Sequence, residues 1–306
     1  MRRQLGVGLD LPWGSGFVRD PQGGDVVRDG IIAFLERHAD DFGHLFVSWQ
    51  PKDRGRLDAR DYFPAYDSLF ERVGARYPMR ALHHTALNLG AIEHYDRGAI
   101  LELTCALIER YGFAWVNEDV GLWSIHGKPL PYPLAPYLTT AGLRAAIANT
   151  RAVQDVIGVP LLVEFPGFSD GMALVIGRIH AYDFFRTLAE DAGVGVTLDT
   201  GHLLSYQWLR GARGEALFDD LERLPLDRCF EIHLSGCELS GGRFHDRHHG
   251  VLLEEQLELL RRLVGLCPNA RAVTYEDPVF DESGTVLADT RPSLDALLSE
   301  ARGWCE

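Results

Sequence analysis

Short apolar runs recur along this chain, separated by longer stretches in which apolar residues return every three or four positions. The short runs are Gln4–Leu9, His44–Trp49, Arg80–Leu87, Ala114–Asn117, Pro160–Phe165, Gly193–Asp199, Arg228–Leu234 and Arg271–Glu276, with cores such as LLVE, VGVTLD and CFEIHL. Continuous apolar runs fit strands covered on both faces, as in a parallel sheet. The periodic stretches predict helices over Val26–Asp40, Tyr66–Tyr77, Ile92–Tyr111, Thr139–Ile157, Arg178–Ala192, Gly214–Arg223, Leu252–Leu266 and Ser293–Arg302. In EEQLELLRRLVGL, for example, Leu257, Leu260 and Leu263 share one side while Glu254, Glu258 and Arg261 share the other. Eight strands alternating with eight helices predict an α/β chain folded as a single (β/α)8 TIM barrel over residues 1–306, with an open doubly wound sheet as the runner-up.

The polar residues with metal-ligand character gather at the carboxyl ends of these strands. The third strand carries His83 and His84, and the fourth ends in Glu118 and Asp119. Glu164 ends the fifth, Asp199 and His202 the sixth, and His233 the seventh. The loop RFHDRHHG adds His245, Asp246, His248 and His249, and Glu276 ends the eighth strand. In a barrel all strand ends meet at one mouth, where active sites are built. Carboxylates brought together there repel one another and are costly to bury unless they bind cations. A mixture of carboxylates and imidazoles suits iron, manganese or zinc, and about nine ligands exceed what one ion needs. His83 and His84 point to opposite faces of their strand, so only one of them can face the mouth. Asp199 can also be read as the N-cap of a following helix.

Composition narrows the picture. The chain has 306 residues and a net charge of −14, which weighs against broad adhesion to nucleic acid or anionic membranes. It has no apolar run of about 18 residues, as a membrane-spanning helix would need. Five cysteines (Cys105, Cys229, Cys237, Cys267, Cys305), with no C-x-x-C pair, point to a cytoplasmic setting and away from a thiolate zinc site. Neither a G-x-G-x-x-G turn nor a phosphate-binding loop is present. GKPLPYPLAPY reads as a rigid loop after the fourth strand, and Trp13, Trp49 and Trp123 as walls of the mouth or as packing.

The order HHTALNLG, VNEDVGLWS, KPLPYP, LLVEFPG, VTLDTGHLLS, EIHLSG with HDRHHG, and TYEDP resembles the multinuclear non-heme iron-dependent oxidases of the methanobactin-biosynthesis type, over roughly residues 80 to 278. The resemblance implies metal ligands at His83, Asp119, Glu164, Asp199, His202, His233, Asp246, His248 and Glu276, with Glu164 as a bridging carboxylate. Glu164, Asp119 and His83 are then the catalytic candidates. It also implies two or three iron ions in mixed Fe(II)/Fe(III) states and O2-dependent oxidation of a residue, commonly cysteine, in a ribosomally made precursor peptide. A separate leader-binding partner protein would present that peptide. The chain departs from the family in having Asp119 where histidine is usual, His202 in place of asparagine, Phe165 after the strand-five glutamate, and Asp10 in place of arginine. The same ligand order also resembles the xylose isomerase-like barrels, including endonuclease IV and sugar isomerases or epimerases, which would use zinc or manganese.

Overall fold

The computed structural model describes residues 5–11, 16–19, 24–49, 57–168 and 175–304. Gln4, Trp13 and Cys305 lie outside the described residues. Eight strands close into a parallel barrel: β1 (Gly6–Leu11), β2 (His44–Trp49), β3 (Arg80–His84), β4 (Trp115–Asp119), β5 (Leu161–Glu164), β6 (Gly195–Asp199), β7 (Cys229–Leu234) and β8 (Ala272–Tyr275). Each strand pairs with its neighbours in sequence, and β8 closes the ring against β1, with Gly6 opposite Ala272. Each is followed by a helix: α1 (Asp29–Arg37), α2 (Phe63–Val73), α3 (Gly98–Tyr111), α4 (Thr140–Ile157), α5 (Ala181–Ala192), α6 (Thr200–Leu209), α7 (Glu254–Leu266) and α8 (Arg291–Gly303). No helix among the described residues is long and apolar enough to cross a membrane.

The helices bury their apolar stripes on the outer face of the sheet. In α7 this stripe is Leu257, Leu259, Leu260 and Leu263. Gln256, buried in its first turn, accepts from the Leu253 backbone N–H at 3.1 Å and donates to the Ser235 carbonyl at 2.8 Å, so it fastens the helix to the end of β7. Gly158 ends α4 at φ 72°, a left-handed conformation that glycine adopts without strain. Inside the barrel, Phe46, Ala81, Trp115, Leu162 and Ala272 form a small apolar cluster. On β1, Gly8 leaves room for the His44 ring: a Cβ there would lie 1.9 Å from His44 Nε2.

Two expectations are corrected. Gly214–Arg223 forms 3-10 turns (Gly214–Phe218 and Leu221–Arg223), and the helix after β6 is α6, which starts immediately at Thr200. Residues Thr200 to Gln207 are buried throughout, so this helix shows no polar face from which to read a period. The proline-rich segment, read above as a rigid loop, is largely a strand. Lys128–Leu134 pairs antiparallel with Leu122–Ile125, and a second hairpin, Cys237–Ser240 with Arg243–Asp246, follows β7.

Candidate metal centre

Strand register brings the acidic and imidazole groups side by side. Asp119 on β4 lies opposite Glu164 on β5, and an irregularity between Val196 and Thr197 sets Asp199 on β6 opposite His233 on β7. Three groups of donor atoms result, each with all atoms within 4.8 Å of one another: His202, Asp246 and His248; Glu164, Asp199, His233 and Glu276; and Asp119, Glu164 and His202. Glu164 and His202 each belong to two groups. Glu164 Oε2 is 3.2 Å from His233 Nδ1, and its Oε1 is 3.5 Å from His202 Nδ1. Glu276 Oε1 lies 3.2 Å from His233 Nδ1 and 3.4 Å from His83 Nδ1.

His83 belongs to none of the three groups, yet its ring faces them, with Nε2 3.9 Å from Glu164 Oε2. His84 faces the opposite way, its Nε2 2.9 Å from Thr104 Oγ1 on α3 and its Nδ1 3.1 Å from Glu118. Glu118 also points away from the mouth and accepts the backbone N–H groups of Leu87 at 2.7 Å and Asn88 at 2.8 Å. In the RFHDRHHG segment, His248 joins the cluster, whereas His249 Nδ1 accepts the Val251 N–H at 3.2 Å. Asp199 combines both of its sequence readings. Its Oδ1 accepts the His202 N–H at 2.7 Å, capping α6, and its Oδ2 is buried without a hydrogen bond.

The electrostatics are those of anions and imidazoles in mutual need. Burial opposes ionisation of Glu164, but His233, His202 and His83 hold its carboxyl down at about 2. Burial pushes Asp199 up to about 7, with His202 opposing and Glu276 and Glu164 adding to the rise. Burial and Glu164 together raise Asp119 well above the usual carboxyl range. Burial disfavours charged imidazoles, yet Glu164, Glu276 and Glu231 hold His233 well above its ordinary value, and Asp199 and Asp246 do the same for His202. Buried polar atoms without hydrogen-bond partners concentrate here: His83 Nε2, Asp119 Oδ1, Glu164 Oε1, Asp199 Oδ2, both ring nitrogens of His233 and Glu276 Oε2. Buried groups left unsatisfied are costly, and cations bound among them would supply the missing partners. The residues present therefore fit a metal cluster, with oxygen and imidazole donors suited to first-row transition ions.

Several supporting residues gave no sequence signal. Asn117 donates through Nδ2 to Glu164 Oε2. Beneath His233, the fully buried Glu231 accepts from Trp115 Nε1 at 2.7 Å and from Thr274 Oγ1, with His233 Nε2 3.3 Å away. Thr274 also contacts His44 Nε2 at 2.9 Å. In CFEIHL, Glu231 shares its face with His233, and that period of two was the one available clue. Glu231→Ala removes the anion from this network, and breaking a buried ion pair typically costs about 3–5 kcal/mol. Urea unfolding of the metal-free variant is expected to show a loss of that size; an unchanged midpoint would refute a structural role for the carboxylate. Asp10, buried at the end of β1, accepts from Ser48 Oγ at 3.1 Å and lies in none of the three donor groups.

Comparison with known proteins agrees with this geometry. A UPF0276 protein of Rhizobium meliloti (strain 1021) is 30% identical over 172 residues, covering 54% of this chain and 51% of that protein. A UPF0276 protein of Paraburkholderia phytofirmans is 31% identical over 219 residues, covering 69% of this chain and 60% of that one. The chain thus spans about half to three fifths of the length of these relatives. Among solved structures, D-psicose 3-epimerase from Clostridium cellulolyticum H10 matches with a TM-score of 0.52 and 13% identity over 98% of both chains. A xylose isomerase domain protein from Alicyclobacillus acidocaldarius matches at 0.53 and 16%, over 97% of both. At such identities these matches show the fold alone, the xylose isomerase-like barrel. The profile of the RiPP precursor modification enzymes MbnB/TglH/ChrH, proteins that act on ribosomally made peptides, matches residues 61–289. That stretch holds all nine residues expected as ligands and about three quarters of the sequence, and the chain belongs to this family.

Proposed function

We propose that this protein is an oxidase that uses two or three iron ions, in mixed Fe(II)/Fe(III) states, and O2 to modify a residue of a ribosomally made precursor peptide. Cysteine is the favoured target, and a separate leader-binding protein presents the peptide. The observation that carries the reading is the adjacency of three donor groups, two of which share Glu164, with buried donor atoms left unpartnered. Family membership supplies the peptide.

His202, Asp246 and His248 would hold one ion; Glu164, Asp199, His233 and Glu276 a second; and Asp119 with Glu164, beside His83, a third. Iron held there supplies a redox-active Lewis acid for activating O2 and accepting electrons from the substrate. The chain's own residues do the rest. Glu164 presents one oxygen to each of two adjoining groups and is steadied by Asn117. Glu231 and Thr274 fix His233 from below. Burial keeps bulk water from Glu164, Asp199, His233 and Glu276, which strengthens the electrostatic contacts among them.

Elemental analysis with Mössbauer spectroscopy on protein purified without oxygen tests the reading. Two to three irons per chain, partly ferrous, with O2 consumed when precursor peptide is added, are expected. Zinc or manganese without iron would favour an O2-independent hydrolase or epimerase chemistry on the same donor set. A protein that takes up no metal would defeat the proposal.

A further inference from the structure

Two histidines of the centre are each gripped by an oxygen on the side away from Asp246. His202 Nδ1 is 2.7 Å from the Phe165 carbonyl oxygen. A carbonyl only accepts, so this nitrogen carries the hydrogen, and Nε2, 3.1 Å from Asp246 Oδ2, is the available donor atom. His248 repeats the arrangement with a carboxylate in place of the carbonyl. Its Nδ1 is 2.9 Å from Asp277 Oδ2, and its Nε2 is 3.3 Å from Asp246 Oδ1. The two Nε2 atoms therefore approach the same carboxylate from its two oxygens.

The backbone holds this contact against its own preference. His248 and Asp277 both sit at φ 46°, in the left-handed region. Residues held in sparsely populated conformations there persist only when their surroundings enforce them. Two such residues meet at one hydrogen bond, and Asp277 itself lies in none of the three donor groups.

We infer that Asp277 is a positioning residue that accepts the Nδ1 hydrogen of His248 and thereby turns its Nε2 lone pair toward the ion held with His202 and Asp246. The inference rests on the metal-centre reading above. An ionised carboxylate has no hydrogen to give, so it fits only the Nδ1–H form of the ring. An amide at the same place can donate to Nδ1 and would favour the opposite form, whose hydrogen sits on Nε2 and blocks coordination.

The test compares wild type, Asp277→Asn and Asp277→Glu, each loaded with Fe(II) without oxygen and challenged with a chelator. Asp277→Asn is expected to lose one ion per chain, through a site weakened about 10- to 100-fold. Its metal-free form should melt as wild type does, and Asp277→Glu should recover the ion. Asn and wild-type proteins holding iron equally would overturn the inference; so would a metal-free Asn variant that melts early and loses every ion. A wild type that binds no iron, zinc or manganese would overturn the underlying site reading and the inference with it. If Asp277→Asn does not fold, 15N NMR of zinc-loaded wild type decides: hydrogen on His248 Nδ1 supports the assignment, and hydrogen on Nε2 overturns it.

Discussion

Replacing Glu164 with alanine is expected to strip the centre of metal and abolish O2 consumption together. Glu164 is the one carboxylate present in two donor groups, with separate oxygens facing His202 and His233. It is also the carboxyl held down at about 2, so it is fully ionised at any working pH. Its loss removes an anion from between several imidazoles and leaves Asn117 Nδ2 without its acceptor. The effect should exceed the roughly 10- to 100-fold loss of metal affinity caused by removing a residue that only supports a ligand. Glu164→Gln keeps the volume and one accepting oxygen but no charge, and should fall between alanine and wild type. His180→Ala is the control, because His180 caps α5 through the Tyr182 N–H and lies away from the cluster. Iron per chain by elemental analysis and oxygen uptake are the two readouts. Full iron content in Glu164→Ala would rule out a shared-ligand role.

Metal uptake by the metal-free protein is expected to release protons and to tighten steeply as pH rises. Burial opposes the charged form of His202, His233 and His248, but the facing carboxylates win and hold all three well above the ordinary histidine value. Burial holds Asp199 up at about 7. These groups carry protons near neutrality, and a ligand atom must shed its proton before it can bind an ion. The sign follows directly: lowering pH through 7 adds a proton to Asp199 and keeps the imidazoles charged, so affinity falls. Each displaced proton should contribute about a tenfold change in affinity per pH unit. Glu164 and Asp246 are held below their usual range and add nothing to this slope near neutrality. Calorimetric titration with zinc in two buffers of different ionisation enthalpy measures the protons directly. A pH-independent affinity between about pH 6 and 8 would contradict the charge balance described here.

The barrel was legible because its strands are buried on both faces, and the signal is therefore a plain apolar run. Eight such runs, spaced by helices, leave few other topologies. Boundaries moved where capping or hairpins intervene: α1 begins at Asp29 rather than Val26 because Asp25–Val27 pairs with Phe17–Arg19. The helix after β6 was placed too late, at Gly214–Arg223, although Asp199 was open to reading as its cap, since α6 is buried nearly all round and lacks a polar face. At the mouth, residues at strand ends could be named from sequence because convergence there is a property of the fold. Which of His83 and His84 faces inward was a matter of strand phase, which the sequence left open and Thr104 on α3 reveals. The roles of Asn117, Glu231 and Asp277 could not be read because their partners, Glu164, Trp115 and His248, lie 47, 116 and 29 residues away along the chain.

The three donor groups do not rest on equal foundations. Glu164, Asp199, His233 and Glu276 are all buried and stand on or beside barrel strands, so releasing an ion from among them requires disturbing the barrel itself. Asp246 and His248 are only partly buried and are carried by the hairpin after β7 and the residues that follow it. A hairpin can open locally at a fraction of the global unfolding free energy. Ion exchange should therefore be biphasic, with one fast-leaving ion and a retained remainder. Protein purified through chelating or dilute conditions would then carry a non-integer metal content that reflects residence time rather than the number of sites.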